Sequence, residues 1–170
     1  MSRPCSMPPD TRRWSHKASL LNKIVLSLTT ATSWSGISCY LLLAPATSFS
    51  GNGLFARLLS ALGLSQLPQQ LPIDKLIHLV IFFGLVFLWQ QVINAASLSL
   101  TQKRRSLILN LAGWCCVGVA IEFLQEALQA GRQFDYLDML ANCIGCGLGG
   151  WVAKKLTPVE TGVATKTNCL

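Results

Sequence analysis

Residues 76–95 contain no Asp, Glu, Lys or Arg, and residues 107–124 contain only Glu122. A helix needs roughly 20 predominantly apolar residues to cross a hydrocarbon core about 30 Å thick, so each stretch is a candidate membrane span. Two further segments extend the pattern. Residues 137–153 are shorter and rich in Gly. Residues 24–44 are interrupted by Ser27, Thr29, Thr30, Thr32, Ser33, Ser35 and Ser38, small hydroxyl residues of the kind found on closely packed membrane helices. Composition agrees: 51% of the residues are apolar and 12% charged, where a soluble domain carries about 25% charged residues. This disfavours a water-soluble enzyme, and the apolar content excludes a disordered chain. No repeat of solenoid or collagen period is present.

The first segment has a rival reading as a signal peptide, with a basic leader and Ala44-Pro45-Ala46 as an A-x-A-like site. Its apolar region exceeds the usual 7–15 residues, which favours a retained span. Charge then orients the four segments. With the N-terminus in the cytoplasm, 11 of the 14 Lys and Arg fall inside, leaving Arg57, Lys75 and Arg132 outside. Five of the seven acids, Asp74, Glu122, Glu126, Asp135 and Asp138, fall outside. The basic residues lie in short runs between apolar segments, which suits anionic lipid at the cytoplasmic face better than nucleic acid.

The expected fold is therefore an all-α integral membrane bundle of four transmembrane helices with both termini cytoplasmic. Residues 52–63 place Leu54, Phe55, Leu58, Leu59 and Leu62 at helical spacing and are too short to span, predicting an interfacial helix in the first outer loop. The expected organisation is a basic tail over 1–23, a membrane domain over 24–155 and a second tail over 156–170. Both tails read as solvated or lipid-brushing. Five of the seven Cys, including Cys143 and Cys146 with their redox-type spacing, lie in apolar segments and read as packing residues rather than a disulfide framework.

The ionisable residues gather at one predicted level, near the outer interface. Asp74 and His78 are four apart at the start of the second span and share a helix face. Glu122 and Gln125 lie near the outer end of the third span, with Gln129 one turn beyond. Asp138, Asn142, Gly145 and Gly149 form one stripe on the fourth. The loop Gly131-Arg132-Gln133-Phe134-Asp135 joins the last two. An ionisable group at the centre of a membrane helix costs about 2.5–3.5 kcal/mol, less near the interface, so several together are expected to pair or line a wet cavity. Plainer readings exist for each: Asp74 or Asp138 as a helix cap, Lys75 as an interfacial anchor, Arg132 paired with Asp135 or Asp138 to fix a turn, the glycines as packing. They account for the residues one by one and not for their common level.

The segments Asp74-Lys75-x-x-His78, Glu122-x-x-Gln125 and Arg132 followed by Asp138, Asn142 and Gly145 resemble the pattern of the VanZ-like family of small bacterial membrane proteins. The likeness covers residues 71–151. It implies a multi-pass protein of the bacterial cytoplasmic membrane and a cell-envelope role linked to teicoplanin-type antibiotic resistance, a location more than a reaction.

The expected catalytic set is His78, Glu122, Arg132, Asp135 and Asp138, with Asp74, Lys75, Gln125 and Asn142 binding substrate. His78 would act as general acid or base, oriented by Glu122 or Asp138, while Arg132 and Lys75 hold an anionic group of a lipid-linked or peptidoglycan-precursor ligand. Asp74, His78, Glu122 and Asp138 also offer ligands for a divalent ion, but no spacing approaches a zinc motif. No metal or other cofactor is expected. The rival class is non-catalytic: a ligand-binding protein or scaffold, or a transporter component with a proton relay, for which a central acid and a broken-helix pair are lacking.

Overall fold

The computed structural model describes residues 9–43, 61, 73–128 and 134–157. These form four helices: α1 (Pro9–Leu43), α2 (Ile73–Ala95), α3 (Leu100–Ala127) and α4 (Tyr136–Leu156). Two are long and apolar enough to cross a membrane, over Asp74–Ala95 and Leu100–Ala127, with mean hydropathies of 2.1 and 2.0. Hydroxyl residues dilute α1, and Asp138 with several glycines dilutes α4. The helix expected over 52–63 lies outside the described residues, Ala61 excepted.

Helix α1 starts at Pro9, well before the apolar segment, so the stretch expected as a solvated tail is helical from that point. Proline is well tolerated at a first helical position, and no Gly or Pro follows until Gly36. The hydroxyls that weaken α1 as an apolar segment bond to its own backbone. Ser27 donates to the Ile24 carbonyl (3.0 Å), Thr30 to Leu26 (3.0 Å) and Ser35 to Ala31 (2.8 Å). This internal satisfaction lowers their desolvation cost in an apolar surround. Two indoles join α1 to α2: Trp34 Nε1 donates to the Ile81 carbonyl (3.1 Å), and Trp89 Nε1 to Ser35 Oγ (3.0 Å).

Helix α3 begins earlier than its apolar run because Ser99 caps it. The Ser99 hydroxyl accepts from the Gln102 N–H (3.3 Å), and the Gln102 side chain accepts from the Ser99 N–H (2.9 Å). This reciprocal box satisfies two donors otherwise unpaired at a helix start. Lys103, Arg104 and Arg105 consequently lie on helix.

The most extensive pairing is α2 with α4, and the glycine stripe expected to let α4 pack closely is what permits it. A Cβ on Gly145 would collide with the Leu79 carbonyl oxygen, and one on Gly149 would sit 2.5 Å from that of Phe83. Both steps are four residues in the same direction, so α2 and α4 run parallel. Gly118 of α3 approaches Asn142 while Gly150 approaches Leu111, so α3 runs antiparallel to α4. Leu42, Ile81, Phe82, Leu85, Val86 and Cys146 form the buried core, with Trp34, Leu111 and Trp114 packed against it. This core sits below the start of α2 and fixes the level at which the polar residues meet.

Candidate functional site

Three helices each bury one polar side chain at the same level: His78 from α2, Glu122 from α3 and Asn142 from α4, each 1% exposed. Asn142 couples the other two. Its Oδ1 lies 3.0 Å from His78 Nδ1, and its Nδ2 donates to Glu122 Oε1 (3.3 Å) and the Gly118 carbonyl (3.5 Å). Gly118 makes room for this, since a Cβ there would lie 3.1 Å from that of Asn142. Glu122 Oε1 is also 3.4 Å from His78 Nδ1. The atoms facing Nδ1 are both acceptors, so Nδ1 is the nitrogen that carries a hydrogen.

That assignment isolates His78 Nε2. It is buried and has no hydrogen-bond partner among the described residues. A buried polar atom left unsatisfied costs about 1–3 kcal/mol and calls for an explanation. Ser38 Oγ and Gln91 Nε2 are also unpartnered among the described residues, but of the three only His78 Nε2 belongs to a cluster of ionisable groups. An imidazole held through Nδ1 with Nε2 left over can give or take a proton, or coordinate an ion.

Beside this centre lies a charged cluster. Lys75, three residues before His78 on α2, places its Nζ 2.5 Å from Asp135 Oδ2 and 2.9 Å from Asp138 Oδ1. Asp135 is the N-cap of α4, its Oδ1 accepting from the Leu137 N–H (2.8 Å). The Lys75 hydrogen bond and this backbone N–H hold the Asp135 carboxyl below the usual carboxylate range. Two sequence readings are corrected here. The cap is Asp135 rather than Asp138, because Asp135 has the extended backbone a cap requires and Asp138 is already helical. Lys75 is an ion-pair bridge to α4 rather than an anchor pointing at the interface.

One ligand atom each from Asp74, His78 and Asp138 lies within 4.8 Å of the others. The donor types suit a divalent cation, with the Lys75 ammonium as competitor for Asp138. Glu122, expected to share such a site, serves the Nδ1 side of His78 instead.

The structure thus brings together His78, Glu122, Asn142, Asp138, Asp135, Lys75 and Asp74. Gln125 is buried but turned elsewhere: its Nε2 donates to the Leu42 carbonyl (2.6 Å), tying α3 to the end of α1. Arg132 and Gln129 lie outside the described residues. Sequence reasoning missed Gly118, whose signal was its position one turn before Glu122. It also missed the Leu42 carbonyl, for which the sequence holds no sign. Compared with models of known families, with curated proteins and with solved structures, the chain finds no match.

Proposed function

We propose that this chain is a VanZ-like, four-span protein of the bacterial cytoplasmic membrane whose outer-leaflet site binds an anionic, lipid-linked envelope substrate. His78 Nε2 is the atom that exchanges a proton with that substrate. The observation that carries the reading is the buried imidazole, oriented by Asn142 and Glu122, with Nε2 left unpartnered. Lys75 bridges Asp135 and Asp138 beside His78, and Arg132, three positions before Asp135 in the sequence, offers a guanidinium suited to bidentate phosphate or carboxylate contact.

The membrane placement rests on three supports. Helices α2 and α3 have the length and hydropathy of spans. Large apolar side chains such as Val80, Ile108, Leu109, Phe123, Leu140 and Leu148 face outward, as lipid contact requires. The distribution of Lys and Arg favours both termini inside.

A second reading, binding without catalysis, draws on the mutual bonding of Lys75, Asp135, Asp138, Asn142 and Glu122, which engages most of the cluster in structural contacts. The test is glycopeptide susceptibility of a sensitive host in which the wild-type chain protects. His78→Gln, Glu122→Gln, Arg132→Ala and Asp138→Asn are each scored against membrane expression. Loss of protection by well-expressed His78→Gln supports proton transfer. Tolerance of His78→Gln with loss in Arg132→Ala supports binding alone. Full protection from all four well-expressed variants removes the site.

A further inference from the structure

At the end of the bundle away from His78, α2, α3 and α4 line an open pocket of about 480 Å³. Three of its lining residues, Gln90, Asn94 and Thr157, belong to a ladder of neutral polar groups. Asn110 Nδ2 donates to Gln90 Oε1 (3.3 Å), and Gln90 Nε2 donates to Asn94 Oδ1 (3.2 Å). Asn94 Nδ2 donates to Thr157 Oγ1 (2.9 Å), which donates to the Ala153 carbonyl (2.8 Å). The ladder fixes the helix ends relative to one another, so the walls above it hold their spacing.

Those walls carry Lys103, Arg104 and Lys154. None of the three forms an ion pair among the described residues. The carboxylates whose side chains are described, Asp74, Glu122, Glu126, Asp135 and Asp138, all belong to the opposite end. Cations converging on one pocket without a counter-charge repel each other, and an anion between them removes that repulsion. Along α3 the wall continues as Leu107 and the outward-facing Ile108, an apolar strip leaving the pocket on the lipid-facing side.

We propose that this pocket is a binding site for the phosphate headgroup of an anionic phospholipid. Lys103, Arg104 and Lys154 hold the phosphate, Asn94 and Thr157 lie beneath the headgroup, and an acyl chain follows Leu107 and Ile108. The apolar strip is the reason to choose a lipid over a free phosphate, since a soluble anion has no use for it. The proposal is independent of the outer site and of which membrane face this end occupies.

The test is native mass spectrometry of the full chain taken from vesicles of equimolar phosphatidylglycerol and phosphatidylcholine. Arg104→Gln/Lys154→Gln is compared with Arg105→Gln/Lys155→Gln, which removes the same charge from outside the pocket. Each basic residue near an anionic surface contributes roughly fivefold to binding, so the pocket pair should lose phosphatidylglycerol on the order of twentyfold. The control pair should lose much less, and excess inorganic phosphate should leave the lipid bound. Equal losses in both pairs would reduce the site to general surface charge and overturn the proposal. Retention of both lipids alike by the wild-type chain would overturn it too. Displacement by inorganic phosphate would replace the lipid with a soluble anion.

Discussion

The two ends of this bundle handle charge in opposite ways. At the His78 end, acids outnumber bases, the central groups are buried, and the polar side chains contact one another: Lys75 with Asp135 and Asp138, Asn142 with both His78 and Glu122. At the far end, Lys103, Arg104 and Lys154 surround a neutral amide ladder without a carboxylate among the described residues. Buried polar groups that bond across helices specify how those helices dock, whereas cations without an ion pair leave docking alone and act on what lies outside. Structure and chemistry are therefore coupled at one end and separable at the other.

Substitutions along the helices should expose this asymmetry. The largest loss is expected from Gly145→Val, because the colliding atom is a backbone oxygen that cannot rotate away. Overpacking of this kind costs about 1–3 kcal/mol or more, to be read as a lowered Tm in detergent. Gly147, two residues on, has open space where a Cβ would go, and Gly147→Ala should instead gain up to about 1 kcal/mol from helix propensity.

Next, Glu122→Ala removes an acceptor shared by Asn142 and His78 and should cost about 1–3 kcal/mol. Arg104→Ala, at the exposed end, should stay within about 0.5 kcal/mol. Equal losses in these two would break the contrast between the ends. Ser99→Ala removes the α3 cap and should cost about 1 kcal/mol without touching either site.

The smallest effect concerns pH. Because folding lowers the Asp135 carboxyl below its ordinary value near 4, its pairing stabilises the chain fully above that value and the contribution fades as pH falls through the lowered one. A Tm titration of Asp135→Asn should lack that acid-side decline.

Much of this was legible in the sequence for a physical reason: an ionisable residue in an apolar run is costly, so His78, Glu122 and Asp138 announce themselves by context alone. Close packing along one face of α4 was readable too, since Gly145 and Gly149 at a four-residue spacing favour close approach, but its partner α2 was not. What stayed hidden depends on partners distant in the chain. Nothing local marks Gln125 for the Leu42 carbonyl, or Lys75 for two aspartates some 60 positions away. The extension of α1 back to Pro9 was missed because polar residues at its start lack apolar periodicity, although their helix propensity and the absence of breakers permit it.

The central claim is that His78 is held through Nδ1 so that Nε2 is left for chemistry. It is tested most directly by nitrogen-15 NMR of histidine-labelled chain in lipid nanodiscs, with His78→Gln separating its signals from those of His16, the other histidine. The account predicts a His78 ring with a hydrogen fixed on Nδ1 and a correlation across that hydrogen bond to Asn142. A ring protonated at Nε2 alone would contradict it, because Nδ1 would then face two acceptors with no hydrogen to offer.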